Sequence, residues 1–346
     1  MTRNSNLYLQ EEESRSVLES VRAELHNRRK GDAVRLEIEA SASPDLVDRL
    51  RSNFELDPWQ VFSTKGPVNL HRLMNLYSES GRPDLKYSSF QGRPFRLGPQ
   101  HSDLFSRIRA GDVLLHHPFD SYKTVEDFVG AGAGDDQVLS IRQTLYRTSK
   151  DSPIFQSLQA AGGKKEVTVV VELMARFDED SNIRWARDLE DAGVGVLHGI
   201  VGLKTHCKLC LMVRRDPDGV IRRYAHLGTG NYNPVTARFY TDISLLTADP
   251  AMTTAVQSVF NYLTAEAEAE DNAYRPLLVA PLTLSRDLLA LVAREADHAR
   301  AGRPSGIVAK MNGLLDGDVV DALYEASQAG VEIDLIVRGM CSLRPG

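Results

Sequence analysis

The chain has 346 residues, of which 42% are hydrophobic and 25% charged, and its 41 basic and 47 acidic side chains leave a formal net charge of −6. That length suits two or three globular domains, and the composition excludes a disordered or fibrous chain. No apolar run approaches the about 18–20 residues of a membrane helix, no secretory leader is legible, and the acidic balance argues against a broad nucleic-acid surface.

In chain order, Glu11 to Arg29 is rich in strong helix formers and is stopped by Gly31. Ala33 to Glu39 alternates and reads as a strand, and Ser43-Pro44 supplies an N-cap and a first-turn proline for a following helix. Residues 80–100 hold Pro83, Pro94 and Pro99 with several Gly and Ser, the composition of a boundary. From about residue 110 the texture turns to α/β. Asp112 to His116 reads as a short strand, Val167 to Met174 as an apolar strand interrupted by Glu172, and Ser181 to Ala192 as a helix closed by Gly193. Cys207 to Val213 and Arg222 to Gly228 form a hairpin around Asp216-Pro-Asp-Gly219. Asp249-Pro250 opens a long helix, Pro276 to Pro281 marks a second boundary, and Ser285 to Ala299 is helical.

A repeat is visible. Val169-Val-Val-Glu-Leu, a helix and Ala192-Gly-Val-Gly-Val196 parallel Ile307-Val-Ala-Lys-Met, a helix and Ala329-Gly-Val-Glu-Ile333. Any strand–helix–strand unit looks similar, so the pattern alone leaves duplication and coincidence equally open. Read as duplication, it predicts two similar halves, of which the second stops at Gly346.

The three cysteines are Cys207, Cys210 and Cys341, too few for a disulfide framework. Cys207 and Cys210 have C-x-x-C spacing, but they fall in a strand-like stretch where residues three apart face opposite ways, and no second ligand pair follows. A polyanion would need a local basic pocket. Lys204, His206, Lys208, Arg214, Arg215, Arg222 and Arg223 lie within twenty residues of each other.

The central signal is Lys204-Thr-His206-Cys-Lys208. On a strand, His206 and Lys208 would share a face. A neutral imidazole is a competent nucleophile toward phosphorus, and a neighbouring ammonium stabilises the phosphate it attacks. Downstream, His226-Leu-Gly-Thr-Gly-Asn-Tyr-Asn233 offers Gly228 and Gly230 for close approach of backbone to an anion, and Asn231 as a donor to phosphate oxygen. An isolated His-x-Lys is more often a hydrogen-bonded sheet histidine; the glycine loop shifts the reading toward phosphoryl transfer.

The combination resembles the His-x-Lys signature of the phospholipase D superfamily, in which two duplicated halves serve one phosphate-handling cleft. Longer stretches are similar to polyphosphate kinases of the first type: His116-His-Pro-Phe-Asp-Ser-Tyr122, Glu172 to Glu179, Gly202 to Lys208, Tyr224 to Asn233, Tyr240 to Leu246, Ala309 to Asn312, Tyr324 to Gly330 and Val337 to Cys341. The resemblance implies an α/β fold with α+β elements, in which a head-domain remnant over residues 1–93 precedes a phospholipase D-like domain over 94–274 and an incomplete second one over 275–346. It implies transfer of the ATP γ-phosphoryl group to inorganic polyphosphate through a phosphohistidine at His206, with Mg²⁺ as cofactor.

Lys208, Asn231, Tyr240, Asp242 and Arg338 are then expected at phosphate or nucleotide, and Arg147 and Arg176 near the phosphates and magnesium. Arginine forks suit phosphate oxygens, and an aromatic ring suits adenine. The expected partners are ATP, ADP and polyphosphate, with no nucleic acid, and a homo-oligomer in the full-length form. The expected location is the cytoplasm, with a peripheral contact at the inner membrane face left open. The family's second functional histidine and its N-terminal domain match no part of this sequence, so a chain cut short at both ends is expected. Two alternatives stand beside this reading. One is a phosphodiesterase or nuclease that hands the same intermediate to water; the other is an ATP- or polyphosphate-binding fragment without turnover.

Overall fold

The computed structural model describes residues 1–4, 31–88, 90–146, 151–172, 179–200, 203–264 and 270–344, with the backbone alone at 179–182. The chain divides into two units, Met1–Asp249 and Pro250–Gly346. The helix expected over 11–29 lies outside the described residues.

The first unit opens with a three-stranded sheet of β1 (Thr2–Arg3), β2 (Ala33–Glu39) and β3 (Val61–Thr64). Between β2 and β3 runs the helix Pro44–Asn53, whose start follows from its sequence: Ser43 Oγ accepts the Leu46 amide at 3.3 Å and Pro44 fills the first turn. The described residues between 80 and 100 are mostly irregular, as their composition suggested. Arg93 is nonetheless tied to the main sheet region, where its guanidinium meets Asp120 at 2.7 Å.

A seven-stranded mixed sheet follows. Its strands are β4 (Val113–His117), β5 (Val138–Leu145), β6 (Glu166–Val171), β7 (Gly195–Leu197), β8 (Lys208–Arg215), β9 (Ile221–Gly228) and β10 (Asp242–Thr247). Their order is β4-β10-β9-β8-β5-β6-β7. β5, β6 and β7 run parallel, and the other neighbours pair antiparallel. The parallel part is joined through helices Pro153–Ala161 and Glu179–Asp191, as parallel connections require. Val167, Val169, Val170 and Val171 of β6 are all buried, which explains its continuous apolar run. The β8–β9 hairpin turns where the sequence indicated: Gly219 sits at φ +78° and donates to Asp216 O at 2.8 Å.

One face of this sheet is layered along its strands. Its middle is apolar, where Met212, Cys210, Tyr224, Ile141 and Leu246 join Phe105, Phe128 and Phe155 in a single core. Helix Lys123–Gly134 lies so close that a Cβ on Gly132 would stand 2.3 Å from Met212 Sδ. Beyond the core, at the hairpin end, sits an ion-pair cluster around Asp216, whose side chain is fully buried. Asp216 meets Arg214 at 2.6 Å, Arg222 at 2.9 Å and Arg109 at 3.1 Å, and accepts the Tyr224 hydroxyl at 2.7 Å. Arg214 also reaches Asp135 at 2.8 Å. Burial alone would raise the Asp216 pKa, but the hydroxyl and the arginines outweigh it and hold the carboxyl below its usual range. The basic run expected to form one pocket is therefore split: Arg214 and Arg222 are consumed here, at the opposite end of β8 and β9 from His206.

In the second unit, β11 (Gly306–Met311) and β12 (Glu332–Val337) pair in parallel, linked by helix Gly317–Gln328. Val292 and Ala296 of helix Leu284–Arg300 join Leu323, Ala326 and Val331 in the core. The unit β11–helix–β12 has the same local topology as β6–helix–β7, the pattern seen as a repeat. Both strands of the pair alternate, leaving Val308 79% and Ile336 58% exposed on the other face. Among the described residues no helix is long and apolar enough to cross a membrane.

Removing one partner from a buried ion-pair cluster strands the others, at a cost of about 3–5 kcal/mol. Asp216→Ala is therefore expected to lower stability by about that much in urea melts. Because the low Asp216 pKa favours the folded state above the unfolded carboxylate range, the wild-type advantage should shrink as pH falls through that range.

Candidate active site

Strand ends converge at one edge of the seven-stranded sheet. β4 ends at His117, β5 at Leu145, β6 at Val171 and β9 at Gly228, while β8 begins at Lys208 and β10 at Asp242. The register confirms the alignment: Asp242 faces His117, Ser244 faces Gly228, and Gly228 faces Lys208. Segment 203–207 arrives at this edge just before β8.

His206 is exposed on that segment, and the backbone around it is held from several sides. Before it, the Thr205 amide donates to Glu172 Oε2 at 2.7 Å. After it, the Cys207 carbonyl accepts Thr144 Oγ1 at 2.8 Å, and the same hydroxyl accepts the Leu209 amide at 3.0 Å. Its own carbonyl accepts the Lys208 ammonium. The imidazole stands edge-on to Tyr146, with ring centroids 5.2 Å apart and planes at 78°. Lys204 and Lys208 also approach the Tyr146 ring, at 5.6 and 5.2 Å from its centroid. One buried aromatic thus gathers two ammonium groups and the imidazole, a geometry favoured by cation–π attraction.

Lys208 is 4% exposed. Burial, with Lys204 adding to it, pushes its pKa down to about 8 against the opposing pull of Cys207 and Asp242. Burial likewise raises the Cys207 thiol to about 11, which makes it a poor nucleophile. Cys207, Cys210 and Cys341 are all free. No group of three or more His, Cys, Asp or Glu that could hold a metal occurs among the described residues.

The glycine loop after β9 is built by internal contacts. Thr229 Oγ1 donates to Asp242 Oδ1 at 2.9 Å and accepts the Ile243 amide at 2.9 Å. A Cβ on Gly230 would lie 2.6 Å from Asp242 Oδ2, and one on Gly228 would lie 3.0 Å from His226 Cε1. Gly230 is thus demanded by the Asp242 side chain, and Gly228 sits tightly against the His226 ring. Beneath the loop His226 is 1% exposed, with Nδ1 2.6 Å from the Tyr232 hydroxyl and Nε2 without a hydrogen-bond partner among the described residues. Burial, assisted by His117, drives its pKa down to about 3, so it is neutral at physiological pH. Beside it, His117 Nε2 lies 2.9 Å from Ser244 Oγ.

Comparison with known proteins places the chain in a family. Three family models match: the polyphosphate kinase middle domain over residues 1–76, C-terminal domain 1 over 103–269 and C-terminal domain 2 over 277–346. The chain belongs to the polyphosphate kinase family. It is 46% identical to a polyphosphate kinase of Streptomyces coelicolor, covering 100% of this chain and 47% of that one. It is also 46% identical to one of Pseudomonas aeruginosa, covering 100% of this chain and 50% of the relative. The crystal structure of the Porphyromonas gingivalis polyphosphate kinase is similar at 33% identity with a TM-score of 0.78, over 90% of this chain and 47% of that one. The chain thus spans about half the length of the curated relatives it matches.

Of the residues expected at the site, the structure brings His206, Lys208 and Asp242 to one sheet edge, with Asn231 half-buried in the adjoining loop. Tyr240, 50% exposed, lies two residues before β10 begins. Arg338 follows β12 in the second unit, where its amide donates to Met311 O at 3.0 Å. Arg147 and Arg176 lie outside the described residues. The expectation that His206 and Lys208 share a strand face is corrected, because β8 begins only at Lys208. His206 precedes the strand and faces solvent, while Lys208 is buried and turns back onto the His206 carbonyl. Reading the sequence missed Thr144, Tyr146, Glu172 and the His226–Tyr232 pair as parts of the site. Glu172 had left a trace, as the one acidic residue interrupting the apolar run around β6.

A lysine with a depressed pKa is penalised while charged, and the penalty fades as pH rises from its folded to its unfolded value. Lys208→Met is therefore expected to gain stability relative to wild type below pH 8. That gain should shrink between pH 8 and about 10.4, the unfolded lysine value. Denaturant melts across that range read the difference, and a flat difference would refute the assignment.

Proposed function

We propose that this chain carries the histidine-phosphorylating site of an ATP–polyphosphate phosphotransferase. The observation that supports it most is an exposed His206 imidazole on a fixed backbone, flanked by two ammonium groups, in a chain of this family. ATP enters with Mg²⁺ on its phosphates, so the ion is part of the substrate; Mg²⁺ characteristically binds through substrate phosphates and few carboxylates. A His206 ring nitrogen attacks the γ-phosphorus in line. The bond from γ-phosphorus to the bridging oxygen breaks, and ADP leaves with its electron pair. A terminal oxygen of polyphosphate then takes the phosphoryl group from nitrogen, lengthening the chain and regenerating imidazole; the reverse sequence makes ATP.

In a loose transition state catalysis is mostly positioning and charge. Lys204 and Lys208 are suited to offset charge on the phosphoryl oxygens. Arg147, Arg176 and Arg338 are assigned to phosphate oxygens, Asn231 to a donor role, Tyr240 to stacking on adenine, and Asp242 to holding the loop that meets the nucleotide. The domain division at about 93 and 274, the cytoplasmic location with a peripheral membrane contact, and the homo-oligomer of the full-length form belong to the same proposal, as does the absence of a nucleic-acid partner. A second reading stands beside it, a fragment that binds ATP or polyphosphate without turnover, and γ-³²P labelling separates the two.

Labelling with γ-³²P ATP and Mg²⁺ tests the assignment. Wild type should take up acid-labile, alkali-stable label, and His206→Ala should lose it with stability changed by no more than about 0.5 kcal/mol, the usual effect at an exposed position. Label retained in His206→Ala, or none on a folded wild-type chain, would overturn it; in the second case the binding fragment stands.

A further inference from the structure

We propose that Glu172 is a positioning residue for His206, its carboxylate at the end of β6 fixing the imidazole through the Thr205 amide. The inference rests on the phosphohistidine reading above. Glu172 is 4% exposed and follows Val169, Val170 and Val171, each fully buried. A buried carboxylate is costly unless it is engaged, and packing at the end of such a strand would be met better by another aliphatic side chain. What the carboxylate does have is a contact 33 residues away in sequence: Oε2 accepts the amide next to His206 at 2.7 Å. Glu172 is itself held, since its own amide donates to Leu145 O at 3.1 Å. Leu145 closes β5 and precedes Tyr146, the ring against which the imidazole stands. The two adjoining strand ends thus form a bracket, with Glu172 on the backbone before His206 and Tyr146 on its ring. Thr144 holds the far flank at Cys207 O. With Glu172 removed, the near flank is released and His206 pivots about Cys207.

A displacement of about 1 Å at a reacting group can cost about 100-fold in rate. Glu172→Ala is therefore expected to slow γ-³²P labelling by about 100-fold. The dissociation constant for ATP, measured separately, should be unchanged. Glu172→Gln keeps an acceptor oxygen and should stay within about tenfold of wild type. A second measurement needs no variant: in wild-type chain, hydrogen exchange read by NMR should show the Thr205 amide protected well beyond its rate in an unstructured peptide of the same local sequence. Labelling of Glu172→Ala at the wild-type rate would overturn the proposal, as would a Thr205 amide that exchanges as fast as in that unstructured peptide. If Glu172→Ala does not melt cooperatively, the wild-type exchange pattern decides. A folded wild-type chain that takes no label sinks the phosphohistidine reading, while Thr205 protection in the same sample still tests the contact.

Discussion

Everything the site does depends on a short backbone segment being immobilised by the ends of two parallel strands. Thr144 from β5 and Glu172 from the end of β6 grip the residues either side of His206. Each such contact is individually modest, about 0.5–1.5 kcal/mol net for a neutral hydrogen bond and about 1.5–3 kcal/mol when one partner is charged. Together they exceed thermal energy several times over, enough to select one pose of an otherwise exposed chain. The grip requires β5 and β6 to be in register, and the buried valines of β6 supply that through apolar packing.

The same sheet treats charge differently at its two ends. At the hairpin end, three arginines surround one buried carboxylate and the charges are satisfied internally. At the other end, Lys204 and Lys208 are brought together around an uncharged ring, with Asp242 the acidic group felt by Lys208. Concentrating like charge at an edge where strands end and a loop of glycines begins suits the anionic substrate of the proposed reaction.

Much of the fold was legible. Ser43-Pro44 fixed a helix start, Asp216-Pro-Asp-Gly219 a hairpin, and the valine run a buried parallel strand, because capping, turn and burial preferences act over a few residues. At the candidate site the sequence singled out His206 and Lys208 as residues but not their geometry. Their true relation depends on where β8 begins, which is set by pairing with β5 and β9 rather than by local pattern. Tyr146, Thr144 and Glu172 escaped because their partners lie 33 to 65 residues away and no periodicity records such contacts. Gly228 and Gly230 were recognised as required, yet for ligand approach; the structure adds a nearer reason, the His226 ring and the Asp242 carboxylate.

The buried neutral His226 carries a consequence for acid. Its folded pKa of about 3 lies below its value in an unfolded chain, so unfolding takes up a proton wherever the pH falls below that unfolded value. The floor beneath the glycine loop is therefore a built-in acid weakness. Stability present at neutral pH drains away as pH drops below about 6.5, before most carboxylates protonate. A phosphorus–nitrogen bond on His206 would itself be labile to acid, so acidification would loosen the scaffold and discharge the proposed intermediate together, while neutral to alkaline handling keeps both.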